Sequence, residues 1–169
     1  AALLDSPQFI ERAIDLYGYD NFICDSGGSI CEVVDPWDVA DPILTALSEN
    51  LLMIWIAGSE DHTAELVRRF DLAPKPMCYQ PKFLLTSWSE YQRETGVQPD
   101  KVNPDEFIRW TYARAMAHRQ PRYAQMAKWG VTLQANDVQS LKTPQDFEAL
   151  VAATLDHHAA APRSNDGED

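Results

Sequence analysis

Seven consecutive apolar residues, Leu51 to Ala57, end abruptly at Gly58-Ser59. A membrane-spanning helix needs about 20 such residues, so this run is strand-sized. Its lack of polar alternation suits a parallel strand buried on both faces. Ser59 then offers a side-chain acceptor for a helix over 60–70, with Ala64, Leu66, Val67 and Phe70 turned inward. His62 stands where a capping box would carry an acid. Strand, tight turn and helix in this order form half of a βαβ unit.

Two other short runs fit a parallel sheet. Asn21 to Cys24 reads as a buried strand entering the turn Asp25-Ser26-Gly27-Gly28-Ser29, and Val131 to Leu133 as a third strand. Between them the sequence predicts helices. Ser6-Pro7 opens one that ends near Gly18, and 30–34 is a short one. Asp41-Pro42 opens another through about Glu49, and Asn103-Pro104 a long one from Glu106 to about His118. Pro121 begins a further turn, and the last helix runs from Thr143 to about His157. The stretch 73–100 carries Pro74, Pro76, Pro81 and Pro99 and reads as an insertion or lid with a short helix over 84–94. The expected fold is therefore α/β, a three-layer, mostly parallel sheet flanked by helices. It forms one domain over 1–158, followed by a disordered tail of Ala, Pro, Ser, Asn, Gly and acids over 159–169. Ligands of such sheets bind beyond the carboxyl ends of the strands, after Cys24, Ala57 and Leu133.

Size and charge narrow the function. A chain of 169 residues, 45% hydrophobic, buries one substantial core. Its net charge of −12 repels phosphate backbones, which argues against nucleic-acid binding. No apolar run suggests a membrane partner, and no segment resembles a secretory signal. Cys24, Cys31 and Cys78 cannot all pair and show no CxxC spacing, so reduced thiols and a cytoplasmic location are expected. From Lys101 to Lys128 six basic residues meet only Asp105 and Glu106, a local excess suited to a small anion.

Three segments, read in order, resemble the second half of P-loop kinases of the shikimate-kinase and gluconate-kinase type. They are Phe22-Ile23-Cys24-Asp25-Ser26-Gly27-Gly28-Ser29, then Leu51 to Phe70, then Arg119-Gln120-Pro121-Arg122-Tyr123 before the strand at Val131. The run Asp-Ser-Gly-Gly-Ser-Ile-Cys-Glu is also similar to one in bacterial proteins described as ATPases. The resemblance covers roughly 7–155 and implies an ATP-dependent phosphotransferase or ATPase that uses Mg²⁺ and ATP and a small-molecule acceptor. The pattern departs from the family in two places. None of the seven glycines is followed by Lys, so the loop GxxxxGK[ST] is missing, and Arg122 stands where the family has Leu. The resemblance thus implies a phosphate loop upstream of Ala1 and an inactive chain without it.

The candidate residues follow. Asp25 ends its strand where a carboxylate can serve Mg²⁺, although Asp is also a common turn former. Ser26, Gly27 and Gly28 would face the second substrate, their glycines allowing close backbone approach or simply supplying turn geometry. Arg119 and Arg122, three apart around Pro121, could face one anion with forked donors and neutralise charge during transfer, and Arg69 could reach the same pocket. Such arginines are often merely solvated. Asp35, Asp38 and Asp41 read as caps and loop residues. The competing reading is a catalytically degenerate, kinase-like fold that acts as a binding or assembly module through Met77 to Tyr91.

Overall fold

The computed structural model describes residues 2–160, with the side chains of 158–160 left aside. Among the described residues there are seven α-helices: α1 (Ser6–Tyr17), α2 (Pro42–Ser48), α3 (Glu60–Leu72), α4 (Pro81–Thr95), α5 (Pro104–Met126), α6 (Ala135–Ser140) and α7 (Pro144–Ala160). Two strands, β1 (Met53–Ala57) and β2 (Gly130–Gln134), run parallel, with Met53 opposite Gly130 and Ala57 opposite Gln134. The pairing requires a glycine at its start, because a Cβ on Gly130 would lie 1.9 Å from the Met53 carbonyl oxygen.

This architecture overturns the expected three-layer, mostly parallel sheet. Helices take up 65% of the described residues, and among these residues the sheet has two strands. The physical cause lies at Asn21 to Cys24. That segment alternates exposed and half-buried residues, the period of an extended chain. It nevertheless joins no ladder, and strand formation depends on a partner more than on local propensity. Consequently β1 has one neighbour, and its other edge is open among the described residues.

Local signals otherwise act as their chemistry dictates. Gly18 closes α1 in the left-handed region at φ 61°. The Asp41 carboxylate accepts from the backbone N–H of Ile43 and Leu44 at 2.9 Å each, and from Asp35 N–H at 2.8 Å, so one buried acid caps α2 and fixes the loop before it. Ser59 caps α3 together with His62, whose ring takes the place of the capping-box acid. α5 continues through Pro121 for 23 residues as one helix, where the sequence suggests a break. The predicted tail begins at 159, but α7 extends to Ala160, and 161–169 lie outside the described residues.

The main core joins Ile30, Cys31, Val34, Leu44, Leu47 and Met126, with Met53, Tyr123 and Trp129 packed on its rim. Within 73–100, α4 packs on α5 through an aromatic set in which Tyr91 meets Phe107 and Trp110 edge-on. The connector before α4 is fastened to the body by hydrogen bonds described below.

Candidate functional site

The turn after Cys24 is built by its own polar groups. Asp25 Oδ1 accepts from Gly27 N–H at 2.9 Å, an Asx turn, and Gly27 takes φ 56°, which a side chain would strain. The chain then enters a 3₁₀ turn over Gly28–Glu32, which brings Ile30 and Cys31 into the core. Gly28 is held at very close quarters: a Cβ there would sit 2.8 Å from the Tyr123 hydroxyl and 3.2 Å from Arg119 Nη1. The glycine turn and the Arg119–Tyr123 segment, remote in sequence, thus meet at one place.

A cavity of about 480 Å³ lies beside this meeting point. Its walls are Cys24 to Gly28, the strand β1, the start of α3 with His62 and Thr63, and Met116, Gln120 and Tyr123 of α5. Asp25, Ser26, Gly27 and Gly28 therefore share one cavity that runs along β1 from Met53 to Ile56. Arg69 does not join them: it lies on α3, 70% exposed along its side chain, and donates to Glu65 at 2.7 Å. The first turn of α3 carries Glu60 and Asp61, which oppose any anion at that helix terminus.

Arg119 is 3% exposed and committed to Glu32. Its Nε and Nη2 donate to Glu32 Oε1 at 2.9 and 2.6 Å, and the other carboxylate oxygen accepts from Gln80 N–H at 2.6 Å. Nη2 also reaches the Cys78 carbonyl at 3.4 Å. One ion pair thus ties the glycine turn, α5 and the connector before α4 together. Arg122 is 8% exposed, donates from Nη2 to the Val34 carbonyl at 2.6 Å, and lies 5.5 Å from the Trp37 ring centre, while its buried Nε has no partner. Neither guanidinium lines the cavity.

Burial and neighbours set the titrations. Burial pushes the Tyr123 hydroxyl up to about 12, reinforced by the adjacent, hydrogen-bonded Cys31 thiol. The Cys31 thiol is likewise raised by burial, against the lowering effect of Tyr123 and the two arginines. Both groups stay protonated near neutrality, so Tyr123 presents a hydroxyl and no charge. At the cavity's other end, Ser59 N–H donates to His62 Nδ1 at 3.1 Å, which in a neutral ring leaves the proton on Nε2. Among the described residues no group of three His, Cys, Asp or Glu side chains gathers to hold a metal. Asp25 is the one acid among the described residues that line the cavity.

Sequence reasoning left out Glu32, Gln120 and His62. Glu32 closes the same Asp-Ser-Gly-Gly-Ser-Ile-Cys-Glu run that singled out Asp25, and Gln120 sits between the two arginines, so both lay inside segments already marked. The chain matches no family model, no curated protein and no solved structure.

Proposed function

We propose that this chain carries the acceptor-binding part of an ATP-dependent phosphotransferase or ATPase. The observation that supports this most is the approach of Gly28 to Tyr123 and Arg119 at the rim of a 480 Å³ cavity that Asp25 also lines. In this reading Asp25 is the polar anchor of the cavity and one ligand for Mg²⁺, which when bound would neutralise phosphate charge. Gly27 and Gly28 let the backbone reach the acceptor. Gln120 and Tyr123 orient it through an amide and a hydroxyl. Arg119 and Arg122 are positioning residues, since their donors go chiefly to Glu32, Cys78 and Val34. The loop GxxxxGK[ST] is not in this sequence, so ATP phosphates need a second segment to hold them.

The test is ATP turnover by the complete polypeptide as the cell makes it. Asp25→Asn should lower kcat by at least tenfold while leaving the folded structure intact, because Asp25 is exposed. Unchanged turnover in that variant, or none in the wild type, discards the reading.

A second reading has its own support. With both arginines internally bound, and with Leu85 67% exposed on α4, the fold also suits a binding module that docks through Met77 to Tyr91. Absence of turnover together with loss of a partner in Leu85→Asp would favour it.

A further inference from the structure

We propose that the cavity takes a neutral, hydroxyl-rich small molecule, and that Glu32 is the specificity-determining residue that makes it reject anions. This rests on reading the cavity as an acceptor site. Charge is the first ground. Arg119 is the cation whose Nη1 lies directly behind Gly28, and its charge is matched at 2.6 Å by Glu32. Among the described residues no Lys or Arg lines the cavity, and Asp25 is its one carboxylate. Without Mg²⁺ bound, an anion entering there meets that carboxylate in a protein of net charge −12.

Hydrogen-bond supply is the second ground. Gln120 offers an amide with no protein partner among the described hydrogen bonds, His62 offers Nε2–H, and Asp25 offers an acceptor. Thr63 adds a hydroxyl that donates to the Ser59 carbonyl at 3.3 Å and so can still accept. Donors and acceptors are therefore interleaved, and alcohol groups, which give and take at once, complement such a wall. An ammonium group has no lone pair for the Gln120 and His62 donors. Trp55 and Tyr123, stacked at 6.2 Å, add an aromatic surface for the C–H face of such a molecule.

The test uses probes that differ at one terminal carbon, CH₂OH against COO⁻: alditols of five and six carbons, each against its aldonate, titrated calorimetrically into the Mg²⁺-free protein at pH 7. The wild type should bind at least one alditol, and bind the paired aldonate at least tenfold more weakly. Glu32→Gln keeps the size of the side chain and an acceptor for Arg119, yet unbalances the guanidinium charge, so the preference should shift toward the aldonate by at least tenfold. Should that variant fail to fold, Asp25→Asn on the exposed turn provides the second arm, and there the preference against the aldonate should shrink. An aldonate bound as tightly as its alditol by the wild type overturns the inference, as does binding of no alditol, or an unchanged ratio in the folded variants. Failure of the function proposed above is seen separately, as alditol binding without ATP turnover.

Discussion

Two groups of ion pairs in this molecule use the same chemistry in opposite settings. On α3, Glu65 holds Arg68 and Arg69 at 2.6 and 2.7 Å, with both arginine side chains more than half exposed. Inside, Glu32 holds Arg119 at 2.6 Å with side-chain exposures of 11% and 4%. Distance alone does not separate them. Solvent does: water competes with the outer pairs, while the inner pair would leave a stranded charge if either partner were lost. The outer pairs decorate one helix, whereas the inner pair fastens three segments far apart in sequence.

The largest expected effect follows directly. Arg119→Ala leaves Glu32 without its charge partner and should cost about 3–5 kcal/mol in urea unfolding. A cost below about 1 kcal/mol would mean that the pair is as dispensable as its surface counterpart. Gly28→Ala probes the same joint through volume. Its Cβ would press on the Tyr123 hydroxyl at 2.8 Å, and the strain should cost about 1–3 kcal/mol. An unaltered urea midpoint would show that the turn is free to move aside.

Titration gives the next effect. Burial raises Tyr79 and Tyr123 to about 12 from an ordinary value near 10, so the folded state favours their neutral forms. Their contribution is complete below about pH 10 and is lost as pH rises from there toward 12, because the unfolded chain ionises first. A loss on the order of a few kcal/mol across that window is expected once the partial exposure of both rings is discounted, and Tyr123→Phe should remove about half of it. A stability flat from pH 10 to 12 would contradict the burial of both hydroxyls.

The smallest effect sharpens the contrast from the other side. The Arg68 and Arg69 hydrogen bonds hold the Glu65 carboxyl down to about 2, yet water surrounds all three groups. Glu65→Gln should leave the urea midpoint nearly unchanged, with any difference vanishing in high salt. A clear, salt-insensitive loss of stability would erase the distinction between the two settings.

What the sequence made legible was local. Gly18, Asp41 and Ser59 mark helix ends because capping is a contest among neighbouring groups. β1 and β2 were readable from their apolar runs. The chain at Asn21 to Cys24 looked like a strand by the same test, but a ladder needs a second chain at the correct distance, and no local pattern reports that. α6, six mostly polar residues, carried no periodic signal at all. For the site, the Asp25 to Gly28 turn and the Arg119 to Tyr123 segment were both visible as motifs. That Arg119 faces Glu32 while Arg69 faces solvent was not, because burial is set by the fold as a whole.

The one-sided pairing of β1 carries a last consequence. A parallel strand with a single neighbour leaves alternate main-chain donors and acceptors pointing outward, and natural sheets guard such rims with lysine, proline or a bulge. Met-Ile-Trp-Ile-Ala has none of these guards, and Ile56 is 49% exposed. That rim is a template on which another extended polypeptide can zip up by backbone hydrogen bonds. The net charge of −12 opposes the approach of two such rims at low ionic strength, and added salt screens that repulsion.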